Sequence, residues 1–284
     1  MAAGAVGALV DLLAAEPASD KTVRQLSCLA LASLCTLASG RKALFEAGGV
    51  ATLCTALKDA NEDAREAAAG ALETVSSGRD GSRELSGSAD SGGVDVIEAL
   101  VQLVRGHKSS AGAVAAGVAT LCNLSCTDAA IAANLRHHAV KAVLARAEEA
   151  LAEEEGADFV LAALSAKYLR HLCHHPVGKV QVLEAGALPT LAAMLTCYDL
   201  DVRRLAAGAL MGLAVEMDAK LAIATEAGDG LAGLLCGGGE ADFETAENAL
   251  IAAQNVCEHP PARATLCEKL DDEARYMVLG AGYA

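Results

Sequence analysis

Three stretches of this chain decide its fold: Glu46-Ala47-Gly48, Glu184-Ala185-Gly186 and Glu226-Ala227-Gly228. Each follows a short run of helical composition. Each precedes an apolar run: Val50-Ala51-Thr52-Leu53, Leu188-Pro189-Thr190-Leu191 and Leu231-Ala232-Gly233-Leu234-Leu235. Gly186 and Gly228 stand 42 residues apart. A phrase that recurs at such an interval signals a solenoid of stacked helical repeats, a long surface for holding something.

Composition agrees. Hydrophobic residues make up 53% of the 284 and aromatics only 2%, with no Trp, so the interior must be built from Leu, Val, Ala and Cys. Ala and Leu are strong helix formers, and few segments alternate in the β-branched manner of strands, so the chain reads as all-α. The net charge of −15 repels phosphate. Arg203-Arg204 and Arg41-Lys42 are isolated basic pairs, and base-stacking aromatics are scarce, so nucleic acid is not an expected ligand. The acidity suits solubility and permits basic protein partners.

Met1–Ala15 is apolar but lacks a basic leader region and carries Asp11, unlike a secretory signal. Most of the ten cysteines, Cys28, Cys35, Cys122 and Cys257 among them, sit inside apolar helical runs. Reduced core cysteines of a cytoplasmic protein explain them best. Residues 109–127 carry no charge and have the length of a membrane span. Their Ser, Thr, Gly and Asn content marks instead a central helix buried by its neighbours, and no membrane span is expected.

Long-helix phrases recur outward from the opening words. Leu34-Cys35-Thr36-Leu37, Leu72-Glu73-Thr74-Val75, Leu121-Cys122-Asn123-Leu124, Leu169-Arg170-His171-Leu172, Leu210-Met211-Gly212-Leu213 and Ala253-Gln254-Asn255-Val256 end in residues spaced 38, 49, 48, 41 and 43 apart. Six long helices therefore anchor about six repeats of a single solenoid over 1–284, with 258–284 as a C-terminal partial repeat or cap. Each unit reads short helix, glycine break, medium helix, polar turn, long helix. In the clearest, Gly186 ends a short helix, Pro189 falls in the first turn of the next, and Asp199 or Asp201 caps a long helix running to Ala214. Three segments depart from the unit. Residues 76–93, rich in Ser and Gly, read as a flexible loop. Residues 148–158 hold six acids and read as an acidic insertion suited to a Lys/Arg-rich partner, and 237–242 as a flexible turn.

This grammar resembles the armadillo repeat family, in the Glu-Ala-Gly words, the apolar runs after them, and phrases such as Ala206-Ala207-Gly208-Ala209-Leu210. The resemblance is strong over 178–257, fair over 26–75 and weak over 78–172, and HEAT repeats are the runner-up. It implies a right-handed α-solenoid with the long third helices lining a concave groove. A narrower resemblance, in Gly178-Lys179-Val180-Gln181-Val182, Val202-Arg203-Arg204-Leu205, Lys220-Leu221-Ala222 and Asn248-Ala249-Leu250, is to the armadillo-repeat radial-spoke proteins of cilia and flagella. It implies a structural subunit of the axoneme.

Peptide-binding armadillo proteins carry an Asn near the end of each third helix and a Trp four residues earlier. Here the Asn positions hold Thr36, Thr74, Asn123, His171, Gly212 and Asn255, and the earlier positions hold Ala32, Gly70, Ala119, Lys167, Gly208 and Ile251. Two of six are Asn and none of the others is aromatic, so a clamp for extended peptides is largely missing. The candidate partner-binding residues are Thr36, Thr74, Asn123, Lys167, His171, Gly208, Gly212, Ile251 and Asn255. Their small size favours a docked helix or subunit, with Gly70 and Gly208 merely admitting the neighbouring repeat as the competing reading.

No catalytic, metal or cofactor site is expected. His171, Cys173, His174 and His175 mark a helix end before Pro176, and the chain has no Cys-x-x-Cys pair. Gly237-Gly238-Gly239 lacks the Lys-Ser/Thr of a phosphate loop, and no Gly-x-Ser-x-Gly elbow is present. The expected role is a non-enzymatic scaffold for other protein subunits in a large assembly, with no small-molecule substrate. A soluble cargo or signalling adaptor, or a regulatory subunit of an enzyme complex, is the alternative. The expected location is the cytoplasm, with the ciliary axoneme as its specific form.

Overall fold

The computed structural model describes residues 2–15, 20–87, 94–152, 157–236 and 242–280, and every regular element among them is a helix. The chain divides into two compact units, Met1–Val143 and Leu144–Ala284. The first opens with α1 (Ala2–Ala14) and the long α2 (Lys21–Cys35). Two triplets follow: α3 (Ala38–Glu46), α4 (Gly49–Ala56) and α5 (Glu62–Ser77), then α6 (Arg79–Gly87), α7 (Val96–Arg105) and α8 (Ala111–Leu124). After α9 (Asp128–Arg136) comes α10 (Ala139–Leu151), within which the division falls. The second unit holds the long α11 (Phe159–Cys173). Its triplets are α12 (Pro176–Glu184), α13 (Leu188–Leu195) and α14 (Leu200–Leu213), then α15 (Met217–Glu226), α16 (Gly228–Leu235) and α17 (Phe243–Cys257). Two further helices, α18 (Pro260–Cys267) and α19 (Asp272–Leu279), follow α17.

The long helices α2, α5, α8, α11, α14 and α17 are the six anticipated from their phrases. Each starts where a side-chain oxygen accepts a hydrogen bond from a first-turn N–H: Asp20, Asn61, Ser110, Asp158, Asp199 and Asp242 in order. Such a cap satisfies one orphan donor and is worth about 1 kcal/mol. Within the first unit α5 packs between α2 and α8, and within the second α14 packs between α11 and α17. Small residues permit this layering. The face of α5 buries Ala64, Ala67, Ala68, Ala71, Leu72 and Val75, and that of α14 buries Ala206, Ala207, Ala209, Leu210 and Leu213. Full burial of each leucine contributes about 1.5–3 kcal/mol, so the core's strength lies in the regular recurrence of Leu among alanines.

The three Glu-Ala-Gly words do not fold alike. Gly48 and Gly186 have φ of 66° and 76°, left-handed conformations that glycine adopts without a Cβ penalty. Gly228 instead opens α16 directly, with Ala227 serving both as the C-cap of α15 and as the N-cap of α16. Between α9 and α10, where no glycine stands, His138 takes the left-handed position with φ 54°.

The reading of 76–93 as a flexible loop is corrected over 79–87, which form α6. Its Gly and Ser serve close packing. Gly81 lies where a Cβ would meet the Val75 carbonyl oxygen at 1.9 Å, and Leu85 is buried. Residues 88–93 lie outside the described residues. The acidic segment 148–158 begins as helix, α10 running to Leu151, and Glu148 accepts a hydrogen bond from Thr190 Oγ1 at 2.9 Å. Glu153, Glu154 and Glu155 lie outside the described residues, as do 237–241 of the glycine turn. Over 258–284, α18 packs on α15 and α17, and α19 packs on α17 with Ala274 and Val278 buried.

Cations of the first helices reach acids of the following repeat or of the turn before it. Arg41 of α3 reaches Asp80 at 2.8 Å, Lys179 of α12 reaches Glu216 at 3.0 Å, and Lys220 of α15 pairs with Glu258. Arg41 also donates to the carbonyls of Cys35 and Thr36, and Arg263 of α18 to that of Cys257, so these cations cap the ends of the preceding long helices.

Candidate functional site

The third-helix positions singled out in the sequence fall on the long helices, but they divide into open and packed positions. In the first unit, a Cβ built on Gly70 would meet nothing within 4 Å. Gly70 lines a concavity of about 410 Å³ between α2, α5 and α8, together with Ala32 and Ala116. Asp63, Glu66 and Glu73 line the same space, and among the described residues no Lys or Arg does. Gly112 makes room for Glu66, whose carboxylate would lie 2.5 Å from a Cβ there and which accepts a hydrogen bond from Ser110 Oγ at 2.5 Å. The concavity is thus small-residue in its floor and acidic in its walls.

The other candidates of this unit are engaged locally. Thr36 is exposed and donates to the Ser33 carbonyl at 2.8 Å, and Thr74 donates to the Gly70 carbonyl at 2.9 Å. Asn123, half-buried, donates through Nδ2 to Ser76 Oγ at 3.0 Å, an α8–α5 bond between neighbouring long helices. Its amide holds the repeats together.

The second unit differs. At Gly208 a Cβ would lie 2.9 Å from Arg170 Nε, and at Gly212 it would lie 2.7 Å from the Cys173 carbonyl oxygen. Both glycines admit α11, the first its side chain and the second its backbone, so the packing reading holds here while Gly70 remains open. Lys167 and Ile251 are exposed, and His171 and Asn255 half-buried. Arg170 and Arg204 converge from α11 and α14 on Glu244 of α17, at 4.0 and 3.7 Å. The long-helix face of this unit is therefore bridged by cations, where that of the first is lined by acids.

Among the described residues no three His, Cys, Asp or Glu side chains converge as a metal would need. Cys173 is fully buried, which raises its thiol pKa, and the His174 pKa is lowered by burial first and then by Arg170. Among the described residues no helix is long and apolar enough to cross a membrane; uncharged α8 is buried between its neighbours. Sequence reasoning missed the acids of the concavity. Their signal was spacing: Asp63, Glu66 and Glu73 follow at 3 and 7 residues along α5, on one face.

Residues 38–77 and 175–211 match the armadillo/beta-catenin-like repeat family. These are the triplets α3–α5 and α12–α14, beginning and ending almost at their helix bounds. The fold is that of armadillo-repeat proteins. An engineered protein of known crystal structure is 26% identical, with a TM-score of 0.74 over 89% of this chain and 96% of its own. A designed armadillo repeat protein solved in complex with the peptide (KR)4 is 19% identical, with a TM-score of 0.73 over 88% and 99%. A structure described under a phosphorylation switch controlling the interaction between cadherin and beta-catenin is 20% identical, with a TM-score of 0.72 over 92% of this chain and 46% of its own. No curated protein sequence matches the chain.

Proposed function

We propose that this chain is a non-enzymatic armadillo-type scaffold, holding a protein partner on the long-helix face of its first unit. The observation that carries the reading is Gly70: an unfilled position beside Ala32 and Ala116, in a concavity of about 410 Å³ walled by Asp63, Glu66 and Glu73. Small residues let another backbone approach closely, and the acids favour basic side chains on whatever docks. The capture of (KR)4 by a designed protein of the same fold supports a cationic partner. Asn123 is bonded to Ser76, and no aromatic wall precedes it, so a docked helix or subunit fits better than an extended peptide.

The assembly we propose is the radial spoke of the ciliary axoneme. Its support is the order of the phrases at 178–182, 202–211, 220–222 and 248–250. Crosslinking mass spectrometry in the source cell should place partner peptides on α2, α5 and α8, and Gly70→Leu should remove those crosslinks while Asn123→Ala and Asn255→Ala leave them. The protein should co-sediment with demembranated axonemes and resist moderate salt; recovery solely in the soluble cytoplasm would overturn the ciliary placement. Loss of binding on the Asn changes alone would favour the adaptor reading.

A further inference from the structure

Within each unit the first helices of the triplets carry an exposed position next to a cation, and its chemistry differs from helix to helix. Taking the cations Arg41, Lys179, Lys220 and Arg263 as equivalent positions, the exposed residue one step on is Lys42 in α3, Val180 in α12, Leu221 in α15 and Ala264 in α18. Within the second unit these positions broaden into a patch. Val177 and Val180 of α12 are 55% and 52% exposed, and Val215, Met217 and Leu221 at α15 are 59%, 57% and 42% exposed. Lys179 bonds Glu216 at 3.0 Å; Val180 is the chain neighbour of the first partner, and Val215 and Met217 flank the second. Isolated exposed hydrophobes are ordinary, but four on two helices and one in the turn before the second, gathered about one ion pair, form a patch of the kind that marks interaction sites.

Its charges outside ion pairs are acidic. Glu184 and Asp218 are exposed at its edges, while Glu216 and Glu258 are paired with Lys179 and Lys220. The cations of the same helices are withdrawn, Lys179 into its pair with Glu216 and Lys220 into the interior at 1% exposure. A two-fold copy of the chain would bring these acids against one another, a costly arrangement.

We propose that the apolar patch Val177–Val180–Val215–Met217–Leu221 is a second docking surface, separate from the long-helix face, whose occupant is an amphipathic helix with an apolar stripe and basic flanks. The apolar stripe would cover the five side chains, and Lys or Arg on either side would meet Glu184 and Asp218.

The test uses methyl-labelled whole protein titrated with a Leu/Lys amphipathic peptide of about 18 residues, five helical turns, and with a Leu/Glu peptide of the same register. The Leu/Lys helix should shift the Val177, Val180, Val215, Met217 and Leu221 methyls, and the Leu/Glu helix should bind at least about tenfold more weakly. V180E/L221E should weaken Leu/Lys binding at least about tenfold, as expected for loss of central apolar anchors. V180S/L221S, which adds no charge, should weaken it in the same direction, with circular dichroism confirming that both variants fold. Equal binding of the two peptides, or shifts confined to Leu29 and the acidic concavity, would overturn the proposal. So would a concentration-dependent dimer abolished by V180E/L221E, which would make a second copy the occupant. Gly70→Leu leaves this surface intact, so the outcome is independent of the long-helix reading.

Discussion

Lys220, a buried ammonium on α15, is paired with Glu258 at the C-terminal end of α17, whose carboxylate stays largely in solvent. A charge withdrawn from water is tolerated only with a partner of this kind. Glu258→Gln leaves the ammonium buried with a neutral acceptor and should cost about 1.5–3 kcal/mol, the range for a hydrogen bond to a charged group. Lys220→Met removes the buried charge at similar volume and releases an exposed carboxylate to water, so it should cost less. Urea unfolding of the two variants checks the order; a larger loss for Lys220→Met would contradict the account.

Glycines on equivalent faces should respond with opposite signs. Gly70→Ala places a methyl in open space on a helix and should stabilise by about 0.5–1 kcal/mol through helix propensity. Gly212→Ala drives a methyl toward the Cys173 carbonyl at 2.7 Å, which backbone cannot yield cheaply, and should destabilise by about 1–3 kcal/mol. Thermal unfolding of both variants distinguishes them.

Of the two aspartates at the start of α14, only Asp199 caps, accepting from the Val202 N–H at 3.0 Å. Asp201 pairs with Arg204 on the surface. Asp199→Ala should lower stability by about 1 kcal/mol, and Asp201→Ala by at most about 0.5 kcal/mol. Equal effects in chemical denaturation would refute the assignment.

Burial pushes the Cys28 and Cys54 thiols up to about 12 from 9.0, and raises that of Cys173 further. A raised pKa keeps the thiol protonated and unreactive, so iodoacetamide on the native protein at pH 8 should modify exposed Cys126 before these three. The sign for stability follows. Below 9.0 these thiols are neutral in both states; between 9.0 and about 12 the unfolded chain ionises first, so stability falls as pH rises through that window. Peptide mapping of the alkylation and unfolding midpoints measured from pH 8 upward check both parts.

Much of the fold was legible because its determinants are local. Asp199 before Val202, Pro189 in a first turn and Leu210 three before Leu213 act through neighbours in the chain, whatever surrounds them. The same locality misled at 79–87, where Gly81 reads as loop but serves close contact with the Val75 carbonyl of α5. The candidate site was less legible. Asn123 looked like an available amide until Ser76, 47 residues earlier, was found to accept from it.

The sequence by itself determined the three-helix unit, its recurrence and the six long helices, since period, caps and breaks are written in adjacent residues. Only the tertiary structure decided that Gly70 is open while Gly208 and Gly212 are filled, that Lys220 is buried against Glu258, and that Val180 and Leu221 share an exposed patch. Those facts depend on which residue of the next repeat lies opposite, a pairing set by packing across about forty residues that no local pattern encodes.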